Sequence, residues 1–290
     1  MMLGRRLRSD ETDLFLEILR RYTERNACDN LLAESYLRHP DTVMFTSDLG
    51  ERTIGVTCVR KDKSRLGMVL SAIAVHPDER EASAYSLVKS SLPFFRTPSI
   101  RDVDAMVSEP QGCSLGFPLN PALDSWTKDV LSRAGFDQVG TILQLEGIVA
   151  QGGTDEYQRS WDSDADYEGA RSLLWNVGRD VGLGTSLAWT ALDFAASLGH
   201  LETISVGGKT AMLAGLYSVG DSVIVTPVLC DPELIMPEHA VDILASRLQR
   251  ERAARILVPL LGIGQEALLG AADRTFTPET YRVSLMRKRV

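Results

Sequence analysis

The stretch AIAVHPDEREASAYSLV, residues 72 to 88, decides how the chain is read. It begins as an apolar strand, turns at Pro77, and runs on as a helix. A strand that ends at a helix N-terminus is a place where backbone N–H groups and the helix dipole gather an anion, provided small residues let the anion approach. This stretch has the strand, the proline and an arginine, Arg80, but no glycine.

GMVLSAIAV reads as one long buried strand, and TVMFTSDLGERTIGVTCVRKD before it as a hairpin turning at Asp48, Leu49 and Gly50. Upstream of the hairpin, SDETDLFLEILRRYTERN places Leu14, Ile18 and Leu19 at helical spacing with Ser9 as its N-cap, and DNLLAESYLRH gives a second helix stopped by Pro40. Downstream come strand VDAMVSE, helix DSWTKDVLSRAGF closed by Gly135, with Asp124 able to cap it, and strand QVGTILQLEGIV.

The same order then recurs. After the polar, Gly/Asp/Ser-rich residues 149–166, a linker by composition, follow helices YEGARSLLWNVGRDVG and SLAWTALDFAASLG, hairpin TISVGGKTAMLAGLYSVGDSVIVTPVLC, helix PEHAVDILASRLQRERA, strand RILVPLLG, a short helix in GQEALLGAADR and strand TYRVSLMRKR. Aligning Val75 with Cys230 matches Pro77 with Pro232 and Asp78 with Glu233, and the closing strands match Phe136 with Phe276. These agreements in order point to duplication. The expected division is a first domain at 1–148, a linker at 149–166 and a second domain at 167–290, which suits a chain of 290 residues.

Composition narrows the function classes. A formal charge of −8 argues against a general nucleic-acid or anionic-membrane binder. Cys28, Cys58, Cys113 and Cys230 form no CxxC pair and read as buried thiols, while the histidines are too scattered for a metal site. The glycines of GGK at 207–209 read as a hairpin turn, and neither they nor GIGQ at 262–265 have phosphate-loop spacing. The charged N-terminal residues lack a secretory pattern, and 183–201, the most apolar run, carries Asp193; the expected compartment is cytoplasmic.

The segments AIAVHPDER and LSRAGFDQVGTILQLEG, with the repeated order of elements, resemble the GNAT superfamily of N-acetyltransferases, here in tandem. The resemblance implies an α/β (α+β) fold of two GNAT-like domains, each a mixed, mostly antiparallel twisted sheet flanked by helices. It also implies acetyl-CoA as co-substrate, no metal, and an amine acceptor, small molecule or protein, in a monomer or homodimer. On the family's Q/R-x-x-G-x-G/A pattern the arginine is Arg80 and the two glycines are Ser83 and Tyr85, so Val75, Arg80, Ser83 and Tyr85 are the expected cofactor contacts. Tyr85 is bulk where the diphosphate would lie. In the second half the matching residues are Ile235, Glu238 and Ala240, and a carboxylate there repels a diphosphate.

The resemblance implies a tyrosine acid four residues before the Gly-Phe turn, but Leu131 and Ala271 stand there, and neither transfers a proton. Glu109 and His76 are the catalytic candidates, as general bases for the amine, beside the plainer readings of a solvated loop carboxylate and an exposed strand-end histidine. Two main functions stay open: an acyl-CoA-dependent N-acyltransferase with its donor in the first half, and a non-catalytic tandem module that binds a ligand or partner protein. A transferase using another activated donor, such as an aminoacyl-tRNA, is a third, disfavoured by the acidic charge. A structure or titration with acetyl-CoA asks whether the two central strands of the first half splay and whether Tyr85 swings clear.

Overall fold

The computed structural model describes residues 2–23, 29–62, 67–95, 100–110, 113, 115–149, 161–162, 166–181, 185–261, 268, 270–272 and 276–290. It forms two compact units, Met1–Thr141 together with Arg282–Val290, and Ile142–Tyr281.

In the first unit β1 (Met2–Arg6), β2 (Thr42–Leu49), β3 (Arg52–Asp62) and β4 (Gly67–Val75) pair antiparallel in turn. β4 then runs parallel to β5 (Asp102–Ser108). Gly50, with φ of 63°, takes the left-handed position of the β2–β3 turn. Every residue of β4 is buried, as a strand covered on both faces must be. One face packs Leu70, Ile73 and Val75 against Ala84, Leu87 and Val88 of α3 (Arg80–Phe95). On the other side Tyr36 of α2 (Asn30–Leu37) shares a 2.6 Å hydrogen bond with Ser71.

α1 (Thr12–Tyr22) buries Phe15, Leu16, Ile18, Leu19 and Tyr22. It does not start at Ser9 as expected. Ser9–Glu11 forms a 3-10 turn in which the Glu11 carboxylate accepts from the Arg8 N–H and from the Arg5 guanidinium, so a carboxylate rather than a serine organises this end. β1 was not legible because MLGRR has no alternation; what fixes it is the β2 edge and the close cover of α3, since a Cβ at Gly4 would stand 2.6 Å from Ser90 Oγ.

The second unit repeats the plan. β8 (Leu201–Val206), β9 (Lys209–Val219) and β10 (Ser222–Cys230) pair antiparallel, and β10 runs parallel to β11 (Arg255–Val258). Helices α5 (Tyr167–Val181), α6 (Thr185–Ser197) and α7 (Pro237–Arg250) belong to this unit. Gly207 and Gly208 have positive φ and make the β8–β9 turn expected of GGK. Val75 and Cys230, matched by the repeat, are the last residues of equivalent strands.

The closing strands differ from the expected division. In the first unit the strand beside β5 is Val283–Arg289 of β12 (Phe276–Arg289), and in the second the strand beside β11 is Leu145–Ile148 of β7 (Asp137–Val149). Leu145 and Val149 accordingly sit in the second core and Met286 in the first. The physical reason is that a buried face specifies that a strand closes a sheet, while two similar sheets offer equivalent places for it. Buried charge adds a specific lock: Arg287 donates from Nε and a terminal nitrogen to both oxygens of the fully buried Asp104, at 2.7 and 2.8 Å.

Of the expected linker, 150–160 and 163–165 lie outside the described residues, as does GIGQ. Asp162 is tied by a reciprocal backbone bridge to Thr203 in β8, at 2.9 and 3.2 Å.

Candidate functional site

β4 and β5 are paired only at Gly67–Asp102, Met68–Val103 and Val69–Asp104. Beyond Val69 the strands part, β4 running on to Val75 and β5 to Ser108. The chain's own β6 (Ala122–Leu123) enters that opening and pairs parallel with β5, Ala122 opposite Met106 and Leu123 opposite Val107. Ser108 Oγ donates to the Leu123 carbonyl at 3.0 Å. What is left between β4, α1 and β6 is a void of about 20 Å³, bounded by Ser71, Ala72 and Ile73 on one side and Ala122, Leu123 and Asp124 on the other. That is room for a single water.

The segment leading into β6 is firmly held. Phe117 sets its ring edge-on to Tyr36, 5.0 Å between centroids, and lies 6.4 Å from Phe15. Asn120, buried, donates to the Leu115 carbonyl at 2.9 Å and accepts from the Ala122 N–H at 3.2 Å. Burial of Phe117, Leu119 and Leu123 supplies the apolar driving force.

Around the turn, Val75 is fully buried and His76 half-buried. The His76 ring meets Tyr22 edge-on at 5.2 Å, and its Nδ1 accepts from the Asp78 N–H at 3.3 Å, capping the 3-10 turn Pro77–Glu79. α3 then begins at Arg80, whose guanidinium lies 4.9 Å above the ring of Trp126, the residue just before α4 (Thr127–Arg133). Ser83 is fully buried and its Oγ has no hydrogen-bond partner among the described residues. Tyr85 is half-buried between Lys89 at 5.3 Å and Arg133 at 5.2 Å, on the α3–α4 seam. β6, rather than Tyr85, fills the opening.

Glu109 is exposed directly after β5. It and His76 stand at the carboxyl ends of the two parting strands, with no hydrogen bond between them among the described residues. Leu131 is buried in the core beside Phe136, where it only packs. Trp126 takes the N-cap position of α4 without a side-chain cap bond, and the Asp124 carbonyl accepts from the Thr127 N–H at 3.0 Å.

In the second unit β10 and β11 pair over Ser222–Ile224 only, and the space beyond narrows to an apolar void of about 30 Å³ among residues such as Met212, Val228, Leu244 and Leu261. Ile235, Ala240 and Ala271 are buried and Glu238 is exposed in the first turn of α7.

Sequence reasoning missed β6 and Phe117. A signal was present: the β5–α4 connection, residues 109–126, is long for a compact domain, and such loops are usually functional.

Three antiparallel strands leading into a parallel strand that parts from its neighbour, with a helix starting at the turn between them, built twice in one chain, make a tandem GNAT-like fold. The chain resembles solved structures of that class. Over 100% of its length and 89% of the other chain it superposes on a Pyrococcus horikoshii protein described as an acetyltransferase, with a TM-score of 0.68 and 11% identity. A tandem GNAT protein from the clavulanic acid biosynthesis pathway is covered over 98% of its length by all of this chain, at a TM-score of 0.64 and 14% identity. A GCN5-related N-acetyltransferase of Sphaerobacter thermophilus gives 0.59 at 10% identity, over 99% of this chain and 95% of that one. No protein-family model matches the chain. No curated protein matches it either. Among the described residues no helix is long and apolar enough to cross a membrane.

Proposed function

We propose that this chain is a binding module built on a tandem GNAT-like fold, whose first unit has closed its acyl-donor opening with its own chain, rather than an acetyl-CoA-dependent N-acetyltransferase. The observation that carries the reading is β6: the edge of β5 that a donor would meet is already paired to Ala122 and Leu123. The residues present do not fit acetyl-CoA there. Arg80 is stacked on Trp126, Tyr85 stands where the pattern has a small residue, and buried Leu131 stands where a proton donor is needed. In the second unit, Glu238 in the first turn of α7 opposes a diphosphate.

The likeness to acetyltransferases favours a second reading, acetyl transfer to a small-molecule or protein amine with Glu109 or His76 as base, once β6 leaves the opening. The two readings separate in one assay. With acetyl-CoA and a panel of primary amines, free CoA thiol is expected to form no faster than in buffer. Amine-dependent release that Glu109→Gln or His76→Ala abolishes would establish the transferase and overturn the binding-module reading.

A further inference from the structure

The second unit holds a cavity of about 790 Å³ between α5, the start of β9 and the turn after β10. That volume is in the range of small-molecule sites. Among its described charged residues are three carboxylates, Asp166, Asp231 and Glu233, and one cation, Lys209. No ion pair neutralises any of the four among the described residues.

Two of the carboxylates are fixed by backbone and left with a free oxygen. Asp166 Oδ1 accepts from the Gly169 N–H at 2.9 Å, and Asp231 Oδ1 accepts from the Glu233 N–H at 2.9 Å. A Cβ at Gly169 would collide with both Asp166 Oδ2 and Thr210 Oγ1, so the glycine lets these two oxygens lie close together against the start of α5. Thr210 Oγ1 is buried without a hydrogen-bond partner among the described residues, a costly state that a donating ligand relieves. Cys230, 4% exposed, is a free thiol in the same wall.

The sign of the site is set by Asp231 and Glu233, which occupy the turn that in the first unit carries His76 and Asp78 and leads to Arg80. An anion is repelled there and a cation attracted. Among the described residues no three acidic, His or Cys side chains come close enough to hold a metal ion. Three carboxylates in one lining without a metal-holding group suit instead an organic cation with more than one charge.

We propose that this cavity binds a linear organic polyamine, its ammonium groups held by Asp166 with Thr210 and by Asp231 with Glu233. The inference gives the binding-module reading its ligand class and rests on that reading. Its test does not depend on acetyl-CoA.

Spermidine serves as the probe on the full chain, with sodium chloride and magnesium chloride at matched ionic strength as controls, because the net charge of −8 attracts any polycation. Two readouts are taken: the melting temperature, and the rate at which iodoacetamide alkylates Cys230, followed by peptide mass spectrometry. Burial pushes the Cys230 thiol up to about 11, with Asp231 adding to the effect, so its baseline reaction is slow and is followed at pH 8.5 over hours. Spermidine at ~1 mM is expected to raise the melting temperature by about 3 °C and to slow alkylation about fivefold. Asp166→Asn with Asp231→Asn is expected to abolish both effects; Glu233→Gln, at an exposed position, weakens binding about tenfold and serves if the double variant does not fold.

Equal stabilisation of wild type and variants, or no protection of Cys230, would overturn the polyamine site while leaving the closed opening of the first unit untouched. Amine-dependent release of CoA would instead overturn the binding-module reading.

Discussion

Replacing Arg287 with methionine is expected to destabilise the first unit by about 3–5 kcal/mol, among the largest effects of any single substitution in the chain. Asp104 is fully buried and both of its oxygens accept from this one guanidinium. Removing the arginine leaves an uncompensated buried carboxylate, whereas removing both charges leaves only a packing change. Asp104→Leu with Arg287→Met should therefore recover most of the loss. Urea unfolding with hydrogen exchange at the β5 amides reads the effect, since β5 is the strand that β12 covers. A cost below about 1 kcal/mol, as for a solvated surface pair, would mean that this pair does not hold the C-terminal strand in the first unit.

The second large effect is expected at Phe117. Its ring is 7% exposed and packs on Tyr36 and Phe15, so Phe117→Ala removes a buried aromatic and leaves a cavity, at a cost of about 3–5 kcal/mol. Because Phe117 anchors the segment that leads into β6 (Ala122–Leu123), the loss should concentrate there, with the Ala122 and Leu123 amides exchanging much faster than those of β3 and β4. Uniform acceleration across the unit would show that Phe117 supports the fold generally and is not the anchor of β6.

The parts of the fold that sequence made legible are those with their own local pattern. GMVLSAIAV is apolar throughout and is β4 residue for residue, and Gly50, Gly207 and Gly208 mark turns that need a left-handed residue. Helix starts are less legible, because a 3-10 turn organised by Glu11 precedes α1 where Ser9 reads as the cap, and α4 begins after Trp126 rather than at Ser125. What local pattern could not supply was partner choice. TYRVSLMRKR reads as a strand wherever it lies, and only Asp104, far away in sequence, distinguishes its place beside β5.

The candidate site shows the same limit. Val75, His76 and Arg80 lie at the turn between β4 and α3, as expected, and the glycines missing there enter the proposal above. Yet Tyr85, the obvious obstruction in sequence, lies between two cations on the α3–α4 seam. The obstruction is a two-residue strand, too short to show any periodicity, delivered by a loop whose length was its only signal. The acidic cavity of the second unit was equally hidden, since Asp166 and Asp231 are brought together with Thr210 only by the packing of α5 on the sheet.

Closure of the acyl-donor opening by β6 is read from the melting temperature of the wild-type chain with and without acetyl-CoA at ~1 mM. A ligand present at about 100 times its dissociation constant adds roughly 2.7 kcal/mol to the stability of the state it binds, which moves a melting temperature by several degrees. The closed opening predicts no shift. A saturable rise of several degrees, with faster exchange at the Ala122 and Leu123 amides as they leave β5, would contradict it.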